Sequence, residues 1–142
     1  MSEKFSLTKT IKLEAPVTKV WQALTDPTLI KEYFFGVDVS SDWKEGSPLY
    51  YKGNWQGKPL ESKGKILRLE AEKTFRHSYW SNLSGMPDIP ENYHIVSYQL
   101  SEVNVGSLLQ LTEENLQSEA MKQQSDKIWD IVFNNLKKLV EQ

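Results

Sequence analysis

The segment from Ser118 to Glu141 constrains the fold more than any other. Met121, Ile128, Val132, Leu136 and Leu139 recur at spacings of three, four and seven residues, and Trp129, Phe133 and Val140 widen the stripe they form. This periodicity predicts one long helix whose apolar face is too broad to rest on a single neighbouring helix or loop. Ser118 is placed to cap its start and Glu119 suits the positive end of the helix dipole. Lys137 and Lys138 lie near the negative end. A helix of this kind needs a wide apolar surface opposite it.

The rest of the chain can supply that surface. Phe5, Leu7, Ile11 and Leu13 alternate with polar residues, with Lys9 as the one break, so Phe5 to Leu13 reads as a strand with one buried face. Ala15-Pro16 ends the strand, and Val17, Val20, Trp21 and Leu24 predict a short helix that stops at Thr25. Asp26-Pro27 is a start signal for a second helix, to about Phe34, with Leu29, Ile30, Tyr33 and Phe34 facing inward. Gly36 then releases the chain into an extended stretch, Val37 to Trp43.

Strands and turns follow. The expected strands are Leu49 to Trp55, Glu61 to Glu70, Thr74 to Trp80, Tyr93 to Glu102 and Ser107 to Glu113. Turns at Lys44-Glu45-Gly46-Ser47, Gln56-Gly57-Lys58-Pro59, Ala71-Glu72-Lys73 and Val103-Asn104-Val105-Gly106 separate them. Ser81 to Asn92, with Gly85, Pro87 and Pro90, reads as a long exposed loop. Short links favour antiparallel meanders. The order strand, two short helices, six strands, long helix predicts an α+β fold: a curved antiparallel sheet wrapped around the C-terminal helix.

Composition narrows the function. The 142 residues fit one domain, taken as residues 1–142, with a core large enough to need no disulfide or metal. With no cysteine, a thiolate metal site and a cysteine nucleophile are excluded. Lysines and arginines number 17 against 19 acids, too even a balance for a nucleic-acid partner. The charged start Met1-Ser2-Glu3-Lys4-Phe5 is unlike a signal peptide, and no apolar run could span a membrane, so a cytoplasmic location is expected. Phosphate-binding glycine loops, a nucleophile elbow, a zinc-type histidine pair and a calcium loop are all missing, and no cofactor or metal is expected.

The ordered pattern resembles the helix-grip fold of the START-like superfamily. Within it, several segments resemble the branch named after the activator of the heat-shock-protein-ninety ATPase. These are Ala15-Pro16, Val20-Trp21-Gln22-Ala23-Leu24-Thr25-Asp26-Pro27, Lys31-Glu32-Tyr33-Phe34 and Gly64-Lys65-Ile66-Leu67. The hairpin Val96-Ser97-Tyr98-Gln99-Leu100, Gly106 and Leu109-Gln110-Leu111-Thr112 is similar too, as is the closing helix from Trp129. The resemblance implies a cavity between helix and sheet that holds a small apolar or amphipathic molecule. A co-chaperone or stress-response interaction module, and a cyclase- or hydratase-like enzyme, are the alternatives. The chain is expected to act as a monomer or homodimer.

Five tryptophans, six tyrosines and five phenylalanines are enough rings to line such a cavity as well as fill a core. The candidate lining residues are Tyr33, Phe34, Trp43, Tyr51, Trp55, His77, Tyr79, His94, Tyr98, Trp129 and Phe133, with Trp80 also considered. Phe75, His77 and Tyr79 alternate on one strand, and His94, Val96, Tyr98 and Leu100 on the next. If both faces look inward, the histidines are neighbours across the hairpin and can orient a ligand or move a proton. Glu113 shares the face of Leu109 and Leu111 and would then be close, although Glu113-Glu114 also reads as a solvated turn. The 81–92 loop is expected beside the helix near Trp129 or Phe133, closing one mouth of the cavity.

Overall fold

The structure, a computed structural model, describes residues 4–142; residues 1–3, part of the charged start, lie outside it. The chain runs β1 (Phe5–Leu13), α1 (Val17–Thr25), α2 (Pro27–Tyr33), β2 (Asp38–Ser41), β3 (Pro48–Trp55) and β4 (Lys58–Glu70). It continues with β5 (Thr74–Ser81), a 3-10 turn (Pro90–Asn92), β6 (His94–Glu102), β7 (Ser107–Leu116) and α3 (Glu119–Val140). The strands form one antiparallel sheet in the order β1-β7-β6-β5-β4-β3-β2. β1 and β2 are therefore the two edges, and the α1–α2 pair carries the chain between them.

Local chemistry sets the boundaries. Asp26 accepts a hydrogen bond from the Thr28 amide at 2.9 Å, and Pro27 opens α2. The Ser118 hydroxyl accepts from the Met121 amide at 3.1 Å and starts α3. Three expected boundaries move. β2 is shorter than Val37 to Trp43. β4 starts at Lys58, because Gln56 (φ 51°) and Gly57 (φ 82°) alone close a tight hairpin. β7 continues through Glu113 and Glu114 to Leu116, so that acidic pair lies in a paired strand rather than a solvated turn.

α3 lies against the concave face. Trp129, at its midpoint, and Val132, Phe133, Leu136 and Val140, in its C-terminal half, are its buried residues. Burying each of the aliphatic and phenylalanine side chains contributes roughly 1.5–3 kcal/mol. Lys9, the break in the β1 alternation, reaches to α3 and pairs with Asp126 at 2.5 Å and Asp130 at 2.6 Å. Its stem covers apolar surface while its ammonium ties the edge strand to the helix. Among the described residues no helix is long and apolar enough to cross a membrane.

One close backbone approach shapes the sheet beside the site. β4 bulges between Ile66 and Arg68, and a Cβ built on Gly64 would lie 1.7 Å from the Ser78 carbonyl oxygen. Only glycine allows that contact without moving a strand. Gly64→Ala is expected to cost about 3 kcal/mol in urea unfolding. A loss below about 1 kcal/mol would mean the two strands are free to separate there.

A half-closed cavity under the N-terminal half of the closing helix

The N-terminal half of α3 stands off the sheet. Met121, Gln124, Ser125 and Ile128 face a cavity of about 280 Å³ whose other walls are the sheet and the end of α2. The reason is visible in the stripe. Position 125, four residues after Met121, holds a serine where an apolar side chain would continue the seal.

Of the candidate residues, Phe34, Tyr51, Trp55, His77, Tyr79, His94, Tyr98 and Trp129 line this cavity. Tyr33, Trp43 and Phe133 do not. Tyr33 is buried, with its hydroxyl donating to the Ala23 carbonyl at 2.8 Å. Trp43, in a left-handed conformation (φ 56°), packs on Phe75 at 5.9 Å. Phe133 lies one turn below Trp129, 6.1 Å away, inside the sealed half. Trp80 is on the outer face, stacked with Tyr93 and donating to the Met86 carbonyl at 3.1 Å.

Other wall residues come from outside the candidate lining set. Phe35 stands at φ 55° and meets Trp55 edge-on at 4.8 Å. Val37, Leu60 and Val96 fill the sheet side, and Ser81, Leu83 and Ser84 come from the start of the 81–92 loop. The signal for Phe35 was its place between an inward Phe34 and the chain-releasing Gly36. The loop thus shares the cavity wall with Met121, Gln124, Ser125, Ile128 and Trp129, and Phe133 is not part of that wall. The rest of the loop folds outward, where Asp88 pairs with Lys63 at 2.6 Å and accepts from the Tyr93 hydroxyl at 2.6 Å.

The polar part of the wall is ordered by strand register. His77 is opposite Val96, and Val96 opposite Glu113; His94 is opposite Tyr79. The two histidines thus share the cavity face without facing each other directly. Glu113, at 5 % exposure, accepts from His94 Nδ1 at 2.9 Å and from the Trp129 indole at 3.0 Å. Burial alone would raise its pKa. The hydrogen bond and charge of His94, with hydrogen bonds from Trp129 and Ser125, outweigh that and hold the carboxyl below its usual range. His94 Nε2 lies 3.1 Å from Gln117 Oε1, and Gln117 Nε2 is buried without a partner.

His77 differs. Its Nδ1 is 2.9 Å from the Ser78 carbonyl oxygen, which can only accept, so Nδ1 carries the hydrogen. Burial pushes the imidazole down to about 4, against smaller upward pulls from that carbonyl and from Glu113. The ring is neutral at pH 7 and its Nε2 is a bare lone pair. Such a group is a weak general base but a good hydrogen-bond acceptor. Burial likewise raises the hydroxyl pKa values of Tyr51 and Tyr98 well above the ordinary value, and that of Tyr79, whose hydroxyl donates to Ser62 at 2.8 Å. Among the described residues there is no cluster of side chains that would hold a metal ion.

A curved antiparallel sheet gripping a terminal helix over an interior cavity is the START-like helix-grip arrangement. The chain belongs to the family described as "Activator of Hsp90 ATPase homolog 1-like protein", which matches residues 14–141. Among solved structures, protein ChR145 from Cytophaga hutchinsonii is similar at 41 % identity, over 99 % of this chain and 97 % of that one, with a TM-score of 0.85. CalU16 from Micromonospora echinospora is similar at 28 % identity, over 95 % and 75 % of the chains, with a TM-score of 0.77. CV1439 from Chromobacterium violaceum shares the fold at 19 % identity and a TM-score of 0.80, over 96 % and 97 % of the chains. A comparison with curated proteins gave no match.

The buried neutral imidazole carries a pH signature. Unfolded, the ring protonates near 6.5; folded, near 4. Between these values the unfolded chain binds more protons, so stability is full above pH 6.5 and falls as pH drops through the window. Between pH 7 and pH 5 the loss from this ring is about 2 kcal/mol. Urea unfolding at both pH values should therefore show a larger drop for the native protein than for His77→Phe. Equal drops would mean the ring is not held neutral.

Proposed function

We propose that this protein binds a small apolar or amphipathic molecule in the cavity between the sheet and the N-terminal half of α3. One observation carries the reading: the closing helix is sealed on the sheet over its C-terminal half only. The remaining space, about 280 Å³, is walled mostly by aromatic and aliphatic side chains with a few polar groups at one side. That mixture is what small-molecule sites use, apolar area for affinity and placed polar atoms for orientation. The volume is near the small end of such sites, roughly 300–1,000 Å³, which favours a one- or two-ring compound over a long-chain lipid. Family membership and the fold support the same reading. We read residues 1–142 as one binding domain without chemistry of its own, since the two histidines are engaged by Ser78 and Glu113 in ways that suit recognition better than proton transfer.

A thermal-shift screen with one- and two-ring compounds tests this. A ligand at hundredfold excess over its dissociation constant stabilises by roughly 2.7 kcal/mol, a rise of roughly 8 °C for a chain of this size. Ser125→Phe, which projects a ring into the cavity from α3, should abolish the rise while the free protein still unfolds cooperatively. A hit whose shift is unchanged in Ser125→Phe binds elsewhere, and a screen with no hit counts against the proposal.

A further inference from the structure

The cavity wall has a one-sided charge. Its lining residues include no lysine and no arginine. The carboxylate on the wall is Glu113, and the His94 ring there is held by it, Nδ1 to Oε2 at 2.9 Å. The lysines near the site point elsewhere: Lys9 to Asp126 and Asp130, Lys63 to Asp88 on the outer face. An incoming carboxylate or phosphate would lose its water, meet Glu113, and find no counter-charge. Desolvating an anion without a partner costs several kcal/mol.

The unsatisfied polar atoms have a pattern as well. The Tyr51 and Tyr98 rings flank the His77 ring at 6.2 and 6.3 Å between centroids. His77 has spent its one N–H on Ser78, leaving Nε2 as an acceptor. The Tyr51 and Tyr98 hydroxyls make no protein hydrogen bond among the described residues. Nor are they sealed from the cavity, since the buried side-chain atom left without a partner is Gln117 Nε2. The wall thus presents an imidazole acceptor and two hydroxyls with hydrogens to donate, and it presents them among aromatic edges.

Resting on the binding role proposed above, we infer that the cavity selects an uncharged aromatic molecule bearing a hydroxyl, which donates to His77 Nε2, and that it turns away carboxylates and phosphates. A second oxygen on the same molecule accepts from the Tyr51 or Tyr98 hydroxyl. The specificity follows from leaving a buried acceptor unpaired when the ligand lacks the donor, a larger penalty than the hydrogen bond is a gain.

Three probes of nearly one shape separate the terms: 2-naphthol, 2-methoxynaphthalene, which lacks the donor, and 2-naphthoate, which carries a negative charge at pH 7. Affinities come from titration of amide resonances in an isotope-labelled sample. The expected order is 2-naphthol at least tenfold tighter than 2-naphthoate and about fivefold tighter than 2-methoxynaphthalene. In His77→Phe the second ratio should fall to about one, with cavity residues still responding to both neutral probes. The comparison with 2-naphthoate needs no variant, so it stands even if His77→Phe fails to fold. Naphthoate binding as tightly as naphthol would overturn the selectivity and leave the cavity as a ligand site. Equal binding of naphthol and methoxynaphthalene to the native protein would remove His77 from recognition. Silence of the cavity resonances with all three probes would sink the binding role together with the inference.

Discussion

Trp129 joins the two halves of α3. Its ring meets Phe34 at 6.1 Å and Tyr98 at 6.0 Å edge-on, with Phe133 below it at 6.1 Å. Its indole N–H donates to the buried Glu113 carboxylate. Past this residue the helix is sealed; before it, the helix roofs a cavity. A buried carboxylate is tolerable only with several donors, so Glu113 needs the indole as much as the indole needs an acceptor. This one bond fixes where along its length the helix stops touching the sheet. Everything about the site depends on that position, including which sheet residues are left uncovered.

The uncovered residues are set by strand geometry. Side chains alternate between faces, so β5 sends Phe75, His77 and Tyr79 inward and β6 sends His94, Val96, Tyr98 and Leu100. Antiparallel register then aligns them in rows across the sheet. Phe75 and Tyr98 fall in one row at the edge of the sealed part and stack at 5.7 Å, with Tyr98 reaching the cavity and Phe75 outside it. His77 and Val96 fall in the next, and Tyr79 and His94 in the one after that. Polarity rises along the rows in the direction in which the helix lifts away. Buried polar groups without full pairing are costly, and the fold places them where solvent or a ligand can reach them.

Much of the architecture was legible in the sequence because both periodicities were clean. The stripe from Met121 to Val140 demanded a broad partner, and short-linked alternating strands were the available supply. Most cavity residues on β3, β5 and β6 could be read from the same alternation. Alternation names a face, however, and says nothing about which part of that face a helix will cover. That is why Tyr33, Trp43 and Phe133, all inward-facing, do not reach the cavity. Glu113 has two readings in the sequence. Its pairing with Glu114 reads as a solvated turn, and its alternation with Leu109 and Leu111 as an inward position near the histidines. β7 runs on past it, and the inward position is the one it takes, filled by partners from β6 and α3. Only long-range pairing, between residues 16 to 19 positions apart in sequence, makes that burial tolerable. The outward fold of the 81–92 loop was hidden for the same reason, since Lys63 and Trp80 hold it through contacts that no local pattern announces.

Ser125 and Gln124 decide whether the space is a packing fault or a built feature. A cavity in a core is costly, roughly 24 cal/mol per Å³ where a side chain has been removed, and selection for stability alone would fill it. Filling requires an apolar side chain at position 125, which lies on the stripe between Met121 and Ile128. The chain instead puts a hydroxyl there, near enough to Glu113 to help hold its charge, and an amide beside it. Across the gap are hydroxyls and an imidazole acceptor without protein partners. Polar groups on both walls make the space able to hold water when no ligand is present. The cost of the void is thereby reduced, and a ligand that replaces that water must replace its hydrogen bonds too. Apolar area alone would not suffice, so what could occupy the space is set by its few polar atoms more than by its many rings.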